Sequence, residues 1–127
     1  MIGIGVDALE ISRMRTAVER TPSLLQRVFT ERELASCMTR CGDLRHGGLA
    51  ARFAAKEALA KALGTGIRGF ALRDIEILND EAGKPEAHLH GSARSAAESR
   101  GVARAHVSLS TSHDLAVANV VLEDGSG

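Results

Sequence analysis

Residues 52–64, RFAAKEALAKALG, form the stretch on which the fold depends. Alanine and leucine dominate it, and neither proline nor a β-branched residue interrupts it, so we expect the second half of a long helix. Apolar residues recur there at helical spacing and form one stripe: Leu49, Phe53, Ala60 and Leu63. Gly64 supplies the left-handed stop at which such helices end.

Glu57 stands at the edge of this stripe, one turn from both Phe53 and Lys61. One interpretation is a surface ion pair between Glu57 and Lys61, which would stabilise the helix by about 0.2–0.5 kcal/mol. The other is a functional carboxylate, because perturbed ionisable groups cluster at functional sites. The spacing leaves both interpretations open.

The composition indicates one globular domain. The 127 residues suffice for a modest core, and the apolar and charged fractions of 44% and 25% are ordinary for such domains. With three phenylalanines and neither tryptophan nor tyrosine, the core must consist of small and aliphatic side chains. Such a core stabilises less per residue than one rich in rings, which favours oligomerisation.

The charge balance argues against two classes of partner. The 16 basic and 16 acidic residues cancel, so no global field attracts the chain to nucleic acid or to a membrane surface. The apolar runs are too short to span a bilayer. A strand pattern follows Met1 directly, without a charged leader and hydrophobic signal core, so we expect a cytoplasmic protein.

The first elements are a strand and a basic helix. Residues 2–7, IGIGVD, predict a strand with little bulk on one face, where another group can approach closely. Asp7 at its end either holds a ligand, begins a turn or caps the next helix. That helix is predicted over residues 10–20. Three arginines lie on its polar face, either solvated or docking an acidic partner: Arg13, Arg15 and Arg20.

The next segment carries a helix start and two cysteines. Thr30 and Glu33 have capping-box spacing and predict a helix over residues 31–39. Cys37 and Cys41 lack the paired C-x-x-C spacing of structural zinc sites, so we interpret them as reduced and unpaired.

The second half of the chain predicts hairpins. Strands are expected at 72–78, 84–89, 105–110 and 115–122, with a turn at 79–83 and a helix at 92–100. The last strand, LAVANVVL, is nearly all apolar and is expected to be buried on both faces. The order β-α-α-α-β-β-α-β-β indicates an α+β fold, with a mainly antiparallel sheet packed on the long central helix. We expect one domain over residues 1–123 and a frayed tail at 124–127.

Five blocks of the chain, in order, resemble the holo-acyl-carrier-protein synthases, the small phosphopantetheinyl transferases: GIGVDALEISR, RFAAKEALAKALGTGI, DIEI, GKP and HVSLS…AVANVVLE. The resemblance runs from Ile2 to about Glu123. It implies transfer of the 4′-phosphopantetheine arm of coenzyme A to a serine of an apo acyl carrier protein, with release of adenosine 3′,5′-bisphosphate. It also implies a homotrimer with active sites between subunits.

The resemblance further implies roles for individual residues. Asp7 and Glu57 would ligate Mg²⁺, and Lys61 would face the same phosphates, so these three are the expected catalytic residues. The expected contacts to the coenzyme are Arg45, Arg52, Lys61, Gly64, Thr65, Gly66, Lys84, Pro85 and Ser108. The carrier protein would dock on Arg13 and Arg20, which lie two turns apart on one helix face.

One position departs from the family pattern. Where the family usually has a histidine directly after V-S-[LI]-[ST], this chain has Thr111, and His113 follows two residues later. Threonine cannot act as a base near neutral pH. Either His113 reaches the site from a rearranged turn, or water or a metal-ligating carboxylate deprotonates the carrier serine. His113 could equally be an exposed turn residue.

Two functions from other classes remain open on the sequence. A Mg²⁺-dependent pyrophosphate hydrolase would use the same carboxylates, and release of the bisphosphate without a carrier protein would identify it. A non-catalytic carrier-binding module is conceivable because the histidine is replaced.

Overall fold

The computed structural model describes residues 1–64 and 71–125. Its elements in chain order are β1 (Gly3–Glu10), α1 (Ile11–Arg20), α2 (Leu24–Val28), α3 (Glu31–Ser36), α4 (His46–Ala62), a 3₁₀ turn (Leu72–Asp74), β2 (Ile75–Asn79), β3 (Pro85–Leu89), α5 (Gly91–Ser99), β4 (Arg104–Ser112) and β5 (Leu115–Glu123). The strands form a three-stranded sheet in the order β1-β5-β4 and a separate β2-β3 hairpin, all antiparallel. The α+β class is therefore confirmed. None of the described helices is both long and apolar enough to cross a membrane.

The structure corrects the predicted boundaries at several points. The short helix α2 was not predicted, because five residues are too few for a helical period to show. β1 continues to Glu10, so Asp7 lies inside the strand, opposite Ala118, and not at its end. The capping box of α3 is present, but the helix ends at Ser36. The predicted tail, 124–127, lies partly outside the described residues.

Helix α4 is buried on most of its circumference and not along one stripe. Eleven of its 17 residues are buried, because β1 and β5 pack on one side while α1 and β2 pack on others. A helix enclosed in this way needs small side chains, which explains its alanine content. Of its residues, Lys61 is exposed, and Glu57 is half-buried.

Two glycines of β1 allow α4 to lie directly against the strand backbone. A Cβ atom on Gly5 would lie 1.9 Å from the carbonyl oxygen of Ala58, and one on Gly3 would lie 2.1 Å from that of Ala62. Both contacts are to main-chain atoms, so no side-chain rotation could relieve them. The glycine pattern predicted a close approach at this face, and the structure identifies α4 as the group that approaches.

A charged pair lies inside the core beside α4. Lys56 Nζ lies 2.8 Å from Glu33 Oε1, and both side chains are inaccessible to solvent. Lys56 also donates to the carbonyl oxygens of Leu72, at 3.0 Å, and Ile75, while Glu33 Oε2 accepts from the backbone N–H of Ile77 at 2.9 Å. Burial lowers the pKa of Lys56, and the charge of Glu33 opposes that effect. The pair thus ties α3, α4 and β2 together.

The sheet face opposite α4 is open in the single chain. Ile4 is 64% exposed, Val6 54% and Leu115 42%. Along β5, buried residues alternate with exposed or half-buried ones. The prediction that β5 is buried on both faces is therefore wrong for one chain, because helix α4 packs against one face only.

Candidate active site

Three charged side chains meet where β1 passes beneath α4. Asp7 comes from β1, while Glu57 and Lys61 lie one turn apart on α4. Lys61 Nζ donates to Asp7 Oδ1 at 2.9 Å and to the carbonyl oxygen of Val6 at 3.3 Å. One of the two interpretations left open by the sequence was a Glu57–Lys61 pair within the helix. Lys61 instead bonds to the strand, at Asp7 and Val6.

The environment of Glu57 favours its neutral form. Partial burial raises the pKa of the Glu57 carboxyl, the negative charge of Asp7 raises it further, and the Lys61 ammonium lowers it in part. The two carboxylates are therefore close enough to repel each other. A second positive charge placed between them would remove that repulsion.

The donor set suits Mg²⁺. This ion is bound through oxygen atoms, commonly by one or two carboxylates, with the other positions left to water and substrate phosphates. Asp7 and Glu57 are half-buried and supply two carboxylates of this kind. Within residues 1–64 and 71–125 no group of three or more histidine, cysteine, aspartate or glutamate side chains is placed to hold a metal ion. An ion here would depend on substrate oxygens for its remaining ligands.

The cysteines play no part in such a cluster. Cys37 is buried, Cys41 is exposed, and both are free thiols, as predicted. Burial raises the pKa of the Cys37 thiol, which keeps it neutral near pH 7.

The predicted coenzyme residues near α4 occupy different positions. Arg45 is exposed at the start of the helix and donates to the carbonyl oxygen of Ser36 at 2.7 Å. Gly64 is exposed just beyond the helix end, with φ of 81°. Thr65 and Gly66 lie outside the described residues.

Arg52 is the predicted coenzyme residue that the fold encloses. It is only 6% exposed, and its guanidinium donates to the carbonyl oxygens of Ile77 at 3.1 Å and Gly48 at 3.3 Å. In the single chain it holds α4 to β2, and its hydrogen bonds within the described residues are to these main-chain oxygens and not to Asp7, Glu57 or Lys61.

The other predicted coenzyme residues lie on a different part of the molecule. Lys84 and Pro85 line a cleft of about 340 Å³ between β3 and β4, which Arg104 and His106 also border. Ser108 is an exposed residue of β4.

The sheet itself separates Ser108 from the charged cluster. Ser108 lies opposite Asn119, which lies opposite Val6 on the open face. Asp7 follows Val6, so its side chain points to the face that α4 covers. A single chain therefore does not bring Ser108 and Asp7 into one site.

The basic helix α1 presents a groove. Ser12, Arg13, Thr16, Ala17 and Arg20 line a shallow surface groove of about 310 Å³. Arg13 and Arg20 thus lie on one face, as their spacing predicts, and the exposed Arg15 does not border this groove.

A second groove continues on the other side of Arg13. It has a volume of about 300 Å³ and is mainly apolar, with Leu9, Met14, Leu24 and Phe53 in its wall. The helix therefore offers positive charge next to an apolar strip.

The region that departs from the family pattern is a hairpin turn. His113 and Asp114 form the two-residue connection between β4 and β5, and His113 is exposed with φ of 53°. This geometry agrees with the turn interpretation of His113. Thr111 is exposed on β4, opposite Ala116.

Sequence reasoning missed two structural groups near the site. Lys56 lies three residues after Phe53 and four before Ala60, so helical spacing already placed a lysine on the apolar stripe. The contacts between Asp114 and Ser12 had no such signal, because 102 residues separate them.

Comparison with known proteins assigns the family. The sequence model of the 4′-phosphopantetheinyl transferase superfamily matches residues 3–118. A holo-[acyl-carrier-protein] synthase from Clostridium novyi is 44% identical over 128 residues, covering 100% of this chain and 91% of the relative.

Solved structures agree. The holo-[acyl-carrier-protein] synthase of Neisseria meningitidis has a TM-score of 0.87 at 37% identity, covering 98% of this chain and 100% of that one. The Helicobacter pylori synthase, solved in complex with coenzyme A, has a TM-score of 0.82 at 27% identity, covering 94% of this chain and 99% of that one. The chain therefore belongs to the 4′-phosphopantetheinyl transferase superfamily, among the holo-[acyl-carrier-protein] synthases.

Proposed function

We propose that this protein transfers the 4′-phosphopantetheine arm of coenzyme A to a serine of an apo acyl carrier protein, in a Mg²⁺-dependent reaction that releases adenosine 3′,5′-bisphosphate. The observation that carries the proposal is the meeting of Asp7, Glu57 and Lys61 beneath α4. Family membership and the coenzyme-bound relatives support the choice of substrates.

The reaction forms one bond and breaks another at the same phosphorus. The serine oxygen of the carrier attacks the phosphorus next to the pantetheine arm, and the bridging bond to the bisphosphate breaks. Mg²⁺ held by Asp7 and Glu57 would stabilise the negative charge on the phosphate oxygens. Lys61, fixed by its 2.9 Å contact with Asp7, adds a point charge on the same side.

The serine proton needs an acceptor within the site. We propose that a metal-ligating carboxylate, Asp7 or Glu57, or a water molecule removes this proton. The raised pKa of Glu57 belongs to the metal-free site, and bound Mg²⁺ would lower it. Thr111 cannot take this role, and exposed His113 is not needed for it.

The carrier protein is proposed to dock on α1. Arg13 and Arg20 border one groove, and the apolar groove beside Arg13 would accept aliphatic side chains. Exposed ion pairs contribute only about 0.2–1 kcal/mol each, so these arginines favour encounter with an acidic partner more than final affinity.

Self-association is part of the proposal. The open sheet face carries Ile4, Val6 and Leu115 in water, which a second copy would cover. We propose a homotrimer in which the Lys84–Pro85 cleft and Ser108 of one copy complete the site of the next. The separation of Ser108 from Asp7 within one chain supports a site shared between copies. A cytoplasmic location stays a prediction.

Intact-mass spectrometry of an apo carrier protein tests the function. After incubation with the protein, coenzyme A and Mg²⁺, the carrier mass should increase by one phosphopantetheine group. Asp7→Asn and Glu57→Gln should abolish this increase and keep the fold. Glu98→Gln should not affect it, because Glu98 forms an exposed pair with Arg94 on α5.

Other outcomes would contradict the proposal. Bisphosphate released equally without carrier protein would identify a hydrolase, and binding of the carrier without any mass change would identify a binding module. Light scattering that finds a fully active monomer would refute the shared site.

A further inference from the structure

The first turn of α1 is capped by a residue from the far end of the chain. Glu10 occupies the N-cap position but makes no side-chain cap, and the first turn contains no acidic residue. Asp114 supplies both the side-chain cap and the negative charge that the first turn lacks. Its Oδ1 accepts from the backbone N–H of Ser12 at 2.8 Å, its Oδ2 accepts from the Ser12 hydroxyl at 2.5 Å, and its carbonyl oxygen accepts from the backbone N–H of Ile11 at 2.8 Å.

These three hydrogen bonds form a clamp between two parts of the molecule. One part is the β4–β5 turn, and the other is the helix on which the carrier protein is proposed to dock. Ser12 itself borders the groove shared with Arg13 and Arg20. The clamp therefore fixes the docking face to the sheet that carries Asp7.

The two-residue turn that carries Asp114 has one residue with a positive φ, as tight hairpin connections commonly do. His113 has φ of 53°, a region that residues other than glycine adopt uncommonly. Such conformations persist where the surrounding structure over-determines them. Here the pairing of Ser112 with Leu115 and the contacts of Asp114 to α1 hold both ends of the turn.

We propose that Asp114 is a positioning residue that sets the KM for the carrier protein by fixing α1, without contacting either substrate. This inference rests on the proposed function. The carrier must contact α1 while its serine reaches the site on the sheet, so a helix that is free to shift against the sheet lowers the fraction of molecules ready to bind the carrier. The apparent affinity for the carrier falls with that fraction, while the turnover of the bound complex does not change. None of the proposed coenzyme contacts belongs to α1, so coenzyme binding should be unaffected.

Steady-state kinetics with variants of the clamp test the inference. Asp114→Ala should raise the carrier KM about tenfold, and Asp114→Asn, which keeps one acceptor oxygen, about threefold. Ser12→Ala should raise it about threefold, and Ser12→Ala combined with Asp114→Ala no more than Asp114→Ala alone. The KM for coenzyme A and the kcat should stay within about twofold of wild type. Glu98→Gln is the control for loss of one surface carboxylate.

Charge alone predicts the opposite sign, which sharpens the test. Removing the negative charge of Asp114 beside the docking groove would favour an acidic carrier and lower its KM. A lower carrier KM in Asp114→Asn would therefore overturn the clamp. A rise in the coenzyme KM instead of the carrier KM would overturn it as well.

Hydrogen exchange supplies a readout other than activity. Amides of residues 11–20 should exchange faster in Asp114→Ala, while those of α5 should not change. Faster exchange in α1 with an unchanged carrier KM would show that the clamp is only structural. If Asp114→Ala does not fold, the same comparisons apply to Asp114→Asn and Ser12→Ala. A wild-type protein that modifies no carrier would refute the proposed function itself, before any variant is compared.

Discussion

Replacing Gly5 by alanine should separate α4 from β1. The new Cβ atom would lie 1.9 Å from the carbonyl oxygen of Ala58, whereas ordinary contacts of this kind begin at 3.4 Å. Helix and strand must therefore move apart by about 1.5 Å at this point, since the strand backbone fixes the position of the Cβ atom and the obstacle is a main-chain carbonyl. The 2.9 Å contact from Lys61 to Asp7 spans the same gap and should be lost or lengthened.

The cost of this displacement is large for one methyl group. Overpacking a tight interior typically costs about 1–3 kcal/mol, and we expect about 3 kcal/mol here because the obstacle is rigid backbone. With a urea m-value of about 2 kcal/mol/M for a domain of this size, the unfolding midpoint should fall by about 1.5 M. A domain with the typical stability of about 5–15 kcal/mol retains about 2 kcal/mol or more after this loss, which keeps most molecules folded, so activity can be measured on the same sample.

Gly47→Ala is the matched control. This glycine lies in the first turn of α4, and among the described residues a Cβ atom there would meet only Ile11 Cδ1, at 3.5 Å. Alanine is the better helix former, so this variant should be as stable as wild type or more stable, by up to about 1 kcal/mol. Urea unfolding of both variants is compared at one protein concentration, together with their transfer rates.

Two results would refute this reasoning. If Gly5→Ala unfolded at the wild-type urea concentration, the helix would not lie against the strand backbone as described. If Gly47→Ala were destabilised as much as Gly5→Ala, the loss would come from replacing glycine and not from the contact with Ala58.

Three further predictions concern charged and strained residues. Burial and Asp7 raise the pKa of Glu57 in the fold, so the stability that its protonated form contributes is present below the unfolded value of 4.5 and is lost as pH rises through the folded pKa. Metal-free Glu57→Gln should therefore unfold at a higher urea concentration than wild type at pH 7 and at a similar one near pH 4, and a less stable variant at pH 7 would contradict this. Lys56→Met leaves Glu33 buried without its cation and should lower the free energy of unfolding in urea by about 3–5 kcal/mol. Adding Glu33→Gln to this variant should restore a large part of that loss. If the double variant were as unstable as Lys56→Met alone, the pairing would be disproved. His113→Gly should unfold within about 1 kcal/mol of wild type and keep its transfer rate, because glycine adopts φ of 53° without strain; loss of transfer with an intact fold would identify His113 as a base.

Local signals in the sequence predicted local structure well. The capping box of Thr30 and Glu33 starts α3, and the turn closed by Gly83, at φ of 88°, joins β2 to β3. Gly64 and Gly101 follow the ends of α4 and α5 in the left-handed conformation. Each of these signals acts within about five residues, so it is readable without knowledge of the tertiary fold.

The contacts that define the site are long-range and were not predictable from spacing. Lys61 could have paired with Glu57 within the helix, and only the passage of β1 beneath α4 gives it Asp7 instead. Asp7 and Glu57 were assigned to one site through a family resemblance, since no local pattern relates residues 50 positions apart. The clamp from Asp114 to Ser12 has no sequence signature for the same reason.

The pairing of β1 with β5 also constrains when the protein can fold. Gly3 lies opposite Leu122 and Glu10 opposite Leu115. Among the strands that the structure describes, β1 therefore has no neighbour in its sheet until β5 has been synthesised. At roughly 5–20 residues per second, translation leaves a delay on the order of 10 s. During that time the aliphatic residues of β1 have no sheet to join, and closing so long a loop makes the later pairing slow. We therefore expect the nascent chain to stay unfolded, and to be a client for chaperones, until β5 has left the ribosome.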